Sequence, residues 1–249
     1  MPMIGIETTG RVTVITLDRP KRRNALGEEV MTGLAAALQA AEQDPEVGAV
    51  VLTGAPPAFC AGSDLKELGG QSIAAMCGHE AETAAIARNI AFMSKPVVAA
   101  VEGYALGGGF ILAVCCDVVV TARGTRWHLP EVRNGWLPPW GLQALVARVG
   151  GVKARLLTWG AEPIGGDEAL RLGVADYATE DGAALDRARS LAAALAALPA
   201  NAVATTKRFF EAFVAQDAER ADMQASRLFA EDCLSPAARA TFDRFTVKP

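Results

Sequence analysis

The stretch KPVVAAVEGYALGGGF, at residues 95–110, decides how this chain folds. Its first part, Pro96 to Val101, is a short apolar run, which predicts a buried strand. The predicted helix Gly109 to Cys116 follows, and three consecutive glycines (residues 107–109) mark the junction. Such glycines leave N–H groups of the first helical turn unpaired and let a ligand approach the backbone. Because the helix dipole points its positive end the same way, Gly108 is the predicted donor to an anion or a developing oxyanion.

The glycine run has another interpretation of equal weight. The glycines can serve only to let the helix pack closely on the sheet. A dinucleotide-binding loop fits less well, because the spacing is GxxxGGG rather than GxGxxG and no acidic residue follows at the required distance. Taken alone, this loop does not decide the function.

A second glycine-bearing loop strengthens the oxyanion interpretation. The segment FCAGSDLKEL, at residues 59–68, follows the predicted strand Ala49 to Thr53. Its Gly62-Ser63 pair opens a short helical turn and can present the N–H of Ser63. Two such loops at the same end of a parallel sheet would supply two donors to one oxygen, which is an oxyanion hole.

Outward from these loops, strands alternate with helices. The run Arg11 to Leu17 predicts a strand paired as a hairpin with residues 4–8, and helical periodicity predicts helices at Glu28 to Gln43 and Ile73 to Met93. This order predicts βαβ units with a largely parallel sheet. Beyond about Gly150 we expect helices alone, packed on the sheet or on a neighbouring subunit, at residues 152–159, 166–172, 182–198, 202–215 and 218–230.

The composition excludes several classes of protein. The 249 residues are 51% hydrophobic, enough for a large core, and carry a net charge of −4, which disfavours nucleic-acid binding. The 5 cysteines follow no metal-ligand or disulfide spacing, so we expect neither a metal nor a disulfide framework. The start lacks the pattern of a secretory signal, and the apolar runs are too short to span a membrane. We therefore expect a soluble cytoplasmic protein.

Taken together, five segments resemble the enoyl-CoA hydratase/isomerase (crotonase) family in order along the chain. They are LDRPKRRNAL (17–26), FCAGSDLKEL (59–68), KPVVAAV (95–101), GYALGGGFILAVCCDVVV (103–120) and GDEALRLGVAD (166–176). The resemblance implies an α/β fold: a crotonase-like spiral of ββα units with a C-terminal all-helical trimerisation region. We expect residues 1–195 to form the spiral core and 196–249 the helical region. It also implies a homotrimer, with a hexamer built as a dimer of trimers as the alternative.

The same resemblance implies the binding site for an acyl-CoA thioester, with coenzyme A as part of the substrate and no further cofactor. Ser63 and Gly108 would hold the thioester oxygen. Lys21 to Arg23 place positive charge where phosphates could lie, although a solvated basic turn is the alternative interpretation. The full set of predicted substrate and CoA contacts is Lys21, Arg22, Arg23, Ala25, Ala61, Gly62, Asp64, Leu65, Gly107, Ile111, Trp136 and Trp140.

Hydratases of this family carry two glutamates, at positions that match Ile111 and Glu131 of this chain. Only Glu131 is kept, and isoleucine can neither orient water nor move a proton. An apolar setting of Trp127, Leu129, Trp136 and Trp140 would desolvate Glu131 and raise its pKa, which suits a general acid/base. The alternative is an ordinary first-turn helix glutamate. The two tryptophans Trp136 and Trp140 could equally be core packing.

One carboxylate suits a 1,3-proton shift, so the predicted reaction is that of a Δ3,Δ2-enoyl-CoA isomerase. Hydration is the second hypothesis, because it also needs a group that orients water. A third, from another class, is a non-catalytic crotonase-like protein that binds a macromolecule; the acidic net charge and the intact Glu131 speak against it.

The match between Ile111 and the first family glutamate can be tested by substitution. Ile111→Glu should create or increase hydration of 2-enoyl thioesters, because it restores a carboxylate at the family position. Hydration is measured on the purified variant beside wild type, with circular dichroism as the folding control. A folded variant with unchanged hydration would contradict the match between Ile111 and the family glutamate.

Overall fold

The computed structural model describes residues 3–246, which form eight strands and eleven α-helices. The strands coincide with the apolar, β-branched runs of the sequence. Their bounds are β1 Ile4–Thr9, β2 Val12–Leu17, β3 Ala49–Gly54, β4 Val97–Val101, β5 Tyr104–Leu106, β6 Val118–Ala122, β7 Arg126–His128 and β8 Tyr177–Thr179.

Within residues 3–246, six of these strands form one sheet in the order β1-β2-β3-β4-β6-β8. Strands β1 and β2 pair as the predicted antiparallel hairpin, and every later pair in this sheet is parallel. Strands β5 and β7 pair in a second, small parallel sheet. Single bridges between Leu26 and Ser63 and between Cys60 and Ala105 extend that second layer. Successive turns of chain thus add one long and one short strand each, as the predicted spiral of ββα units requires.

The helices predicted from periodicity are all present, within a few residues at most ends, and α11 is an additional helix that the sequence pattern does not predict. Their bounds are α1 Glu28–Gln43, α2 Leu65–Leu68, α3 Ile73–Phe92, α4 Gly108–Val114, α5 Glu131–Asn134, α6 Leu142–Trp159, α7 Gly166–Leu172, α8 Ala184–Ala196, α9 Ala200–Val214, α10 Ala218–Asp232 and α11 Pro236–Thr246. Helix α6 begins ten residues earlier than predicted. The backbone is kinked at Gly150, and the predicted helix includes only the part of α6 that follows this kink.

The large sheet is covered on both faces, which explains its continuous apolar strands. On one face of the sheet, alternate strand residues such as Ile15, Leu52 and Ala99 lie in the main core with α1, α3 and α4. On the other face, the residues between them, such as Val14 and Val51, pack under α8. That helix presents an alanine stripe to the sheet, so its backbone can approach closely: Ala184, Ala188, Ala192 and Ala196.

The expectation of helices alone beyond Gly150 is wrong in one place. Strand β8 pairs in parallel with β6, with Thr121 opposite Ala178. Strand β8 has only three residues and lies between a helix that ends at a glycine and an acidic loop. Three residues are too few to show the alternation typical of a strand, so no strand pattern is visible in the sequence.

The C-terminal helices pack back on the core of the same chain. Helix α10 lies against α3 and α6, and α11 lies against α2 and α5. The predicted boundary at residues 195 and 196 falls near the end of α8; that division, the trimer and the cytoplasmic location remain predictions. Of the helices in residues 3–246, none is long and apolar enough to cross a membrane.

Candidate active site

The two glycine-bearing loops meet at the carboxyl ends of β3 and β4. Gly62 has φ +81°, and a Cβ at this residue would lie 2.8 Å from the amide nitrogen of Gly108. The contact therefore requires glycine, because an L side chain fits neither the backbone angle nor the space. Within residues 3–246, neither the Ser63 nor the Gly108 N–H has a hydrogen-bond partner. Two free amide donors thus belong to loops that touch.

The N-terminal turn is joined to the first of these loops by backbone hydrogen bonds. The Leu26 N–H donates to the Gly62 carbonyl over 2.8 Å, and the Ala61 N–H donates to the Arg23 carbonyl over 3.0 Å. Asn24 is fully buried and holds the turn, since its side-chain amide donates to the carbonyls of Ala55 and Ala58. The turn is thereby fixed beside the loop that carries Ser63.

A small cavity of about 60 Å³ lies where the loops meet. Its lining unites ten of the predicted site residues: Ala61, Gly62, Ser63, Leu65, Gly107, Gly108, Ile111, Glu131, Trp136 and Trp140. The cavity is much smaller than an acyl-chain pocket, which typically measures several hundred Å³. A larger ligand would therefore need side chains of the wall to move.

Five predicted contact residues do not line this cavity. Lys21, Arg22 and Arg23 are exposed on the turn, where Arg23 stacks over the Tyr104 ring at 5.6 Å. Ala25 is buried beside them. Asp64 is also buried, and its carboxylate pairs with Arg19 at 2.8 Å and caps α2. These residues therefore lie outside the cavity, on or next to the turn that is bonded to the Ser63 loop.

Glu131 begins the short helix α5 and reaches the cavity beside the glycine run. A Cβ at Gly107, whose φ is +53°, would lie 2.8 Å from Glu131 Oε1. The other oxygen, Oε2, is buried with no hydrogen-bond partner among the described residues. Burial raises the pKa of Glu131 to about 8, and the nearby charge of Glu80 acts in the same direction. The apolar walls are Trp136 and Trp140, whereas Trp127 and Leu129 lie in the main core.

Glu80, on α3, is a second carboxylate of this cavity that the sequence analysis did not identify. It is only 4% exposed, and the Trp140 indole N–H donates to its Oε2 over 2.7 Å. Burial raises the pKa of Glu80, while hydrogen bonds from the side chains of Ser63 and Trp140 and the charge of His79 act in the opposite direction. Nothing local in this alanine-rich helix distinguishes Glu80 from exposed neighbours such as Glu82, so the sequence carries no signal for it.

Three comparisons with known proteins bear on this geometry. The family model described as enoyl-CoA hydratase/isomerase matches residues 7–246. A probable enoyl-CoA hydratase of Mycobacterium bovis is 35% identical over 203 residues, 81% of this chain and 78% of the relative. The 2,3-dehydroadipyl-CoA hydratase of Escherichia coli is 37% identical over 187 residues, 75% and 72% of the two chains. The crystal structure of an enoyl-CoA hydratase/isomerase from Xanthobacter autotrophicus superposes with a TM-score of 0.89 at 28% identity, covering 97% and 91%.

The raised pKa of Glu131 predicts a measurable effect on stability. The folded protein binds this proton more tightly than the unfolded chain, so the contribution of Glu131 is full below its ordinary value of 4.5 and is lost as the pH rises to about 8. Glu131→Gln, which has no proton to lose, should therefore become more stable relative to wild type across this window, by up to about 1.4 kcal/mol per pH unit.

Urea unfolding at several pH values measures this trend. Glu82→Gln is the matched control, because Glu82 is an exposed residue of α3. A stability difference between wild type and Glu131→Gln that stays constant with pH would show that Glu131 is not buried in this way.

Proposed function

The chain belongs to the enoyl-CoA hydratase/isomerase family, and we propose that it moves a proton at the carbon next to an acyl-CoA thioester. The amides of Ser63 and Gly108 hold the thioester oxygen, and Glu131 carries the proton. The observation that supports this most strongly is that Ser63, Gly108 and Glu131 line a single cavity. Within residues 3–246, the amides of the first two and Oε2 of the third have no hydrogen-bond partner. Amide donors stabilise the negative charge that develops on the thioester oxygen, and Glu131 exchanges the proton that creates that charge.

The reaction we propose first is Δ3,Δ2-isomerisation. Ionised Glu131 removes a proton from C2 of a 3-enoyl thioester, and the electron pair moves onto the thioester oxygen as a dienolate. The same carboxyl then returns the proton to C4, which leaves a 2-enoyl thioester. The buried position of Glu131 favours this shuttle, because no bulk water competes for the proton during the transfer.

We further propose that the CoA portion leaves the cavity past Ala61 and the basic turn. Arg22 and Arg23 are exposed there and joined to the Ser63 loop by the backbone bonds described above. Guanidinium groups pair well with phosphate, so this turn suits the charged half of the substrate. The protein needs no cofactor in this scheme, and the active assembly is a homotrimer.

Hydration of a 2-enoyl thioester is the second candidate. The two curated relatives described above are named as hydratases, one of them only as a probable one. The specific observation in its favour is Glu80, since water addition needs a polar group besides the proton donor.

Removing the acid/base group tests the proposed role of Glu131. Glu131→Gln should lower the rate of 3-hexenoyl-CoA isomerisation at least about 100-fold, because an amide cannot take the C2 proton. In wild type, kcat/KM should rise with pH and level off above about 8, since the ionised form is the base and its pKa is about 8. Product formation is followed by chromatography across this pH range. Equal rates in the variant and wild type would remove Glu131 from the mechanism.

The amide of Gly108 can be tested by a pair of substitutions at one position. Gly108 is the first residue of α4, a position that tolerates proline, which has no N–H. Gly108→Ala keeps the donor and adds a Cβ that would lie 3.1 Å from the Trp140 ring, so it controls for bulk. We expect kcat/KM to fall about 100- to 1000-fold from the alanine to the proline variant. Equal activities of the two folded variants would refute the donor role.

A further inference from the structure

Glu80 combines a fixed geometry with a place in the lining of the candidate site. Its carboxylate lies in the lining of the cavity that also contains Glu131 and the two free amides. The Trp140 N–H fixes Oε2 at 2.7 Å, and the hydroxyl of Ser63 also donates to the carboxylate. Both donors belong to residues of the cavity wall, so the carboxylate is held at that wall rather than directed into the core.

The polar groups around the two carboxyls assign them different protonation states. Glu80 receives two donated hydrogen bonds, which stabilise an ionised carboxylate. Glu131 has one buried oxygen without a partner among the described residues, which favours a neutral carboxyl. Two buried carboxyls near each other also resist double ionisation. Of the two carboxyls, Glu80 is therefore the better stabilised as an anion and Glu131 the better stabilised as a neutral acid.

We propose that Glu80 is a second catalytic residue, which orients and deprotonates a water molecule for addition to a 2-enoyl thioester bound as in the proposed function. The inference rests on that function for the thioester, the two amides and Glu131. It adds a base contributed by α3 to a cavity in which Ile111 supplies only hydrocarbon.

The addition balances in atoms and charge. The water oxygen bonds to C3 while one of its protons passes to Glu80. The C2–C3 π electron pair moves onto the thioester oxygen, between the Ser63 and Gly108 amides. Protonated Glu131 then delivers its proton to C2, the thioester carbonyl re-forms, and a 3-hydroxyacyl thioester results. Glu80 ends protonated and Glu131 ionised, so one proton passes from Glu80 to Glu131 through solvent before the next turnover.

Two reactions on matched substrates separate Glu80 from Glu131. Hydration of 2-hexenoyl-CoA requires both carboxyls, whereas isomerisation of 3-hexenoyl-CoA requires only Glu131. Glu80→Gln keeps the shape and an acceptor for the Trp140 N–H. At neutral pH we expect this variant to lose hydration at least about 100-fold. Isomerisation should fall far less than hydration, because removing the charge at residue 80 makes Glu131 easier to ionise. Glu82→Gln is the control on the same helix.

Glu80→Asp provides a second readout that does not depend on the amide variant folding. It keeps a carboxyl at the wall, so it should retain more of the hydration rate than Glu80→Gln does. Equal loss of both reactions in Glu80→Gln, or unchanged hydration, would overturn the inference by making Glu80 structural. A wild type that isomerises without hydrating would overturn the inference alone. A wild type inactive in both reactions would overturn the proposed function as well.

Discussion

The contact between Gly62 and Gly108 is the constraint on which the site depends. These residues belong to different turns of the spiral, and each follows a strand of the same parallel sheet. Parallel strands bring their carboxyl ends to one edge, but only glycine lets the two backbones approach so closely that neither amide is shielded. The sheet therefore aligns the two loops, and the glycines let their backbones come into contact. Without the parallel sheet or the glycines, the two loops would not line one cavity.

The same close packing removes water from the carboxyls, and this links stability to chemistry. Glu80 and Glu131 are both buried against aromatic walls, and burial raises the pKa of each. A protein that needed only stability would fill this volume with hydrocarbon, because a buried acid must be kept neutral or supplied with donors. The two residues differ in this respect: Glu80 has donors, whereas Glu131 Oε2 has no hydrogen-bond partner within residues 3–246. Glu80 is therefore better stabilised as an anion, and Glu131 as a neutral acid.

The parts of the fold and site that lie within continuous segments could be predicted from the sequence. Helix α1 has the predicted bounds, and the loops with Ser63 and Gly108 are visible as short patterns. Glu80 could not be predicted, because its defining contact is with Trp140, 60 residues away in a loop whose shape no periodicity encodes. Strand β8 is similarly defined by its partner β6 rather than by its own three residues. Local pattern reveals local structure, whereas long-range pairing must be observed.

The C-terminal helices contribute directly to the lining of the candidate site. Phe229 of α10 and Phe242 of α11 line the cavity and pack around Trp136, where the Phe242 ring stacks at 4.8 Å. These rings form part of the apolar wall that keeps water from Glu131. Burial is the largest cause of the raised pKa of Glu131, and these two rings help to bury the cavity that it lines. The cavity is thus closed by residues 61–140 together with two aromatic side chains from the last two helices.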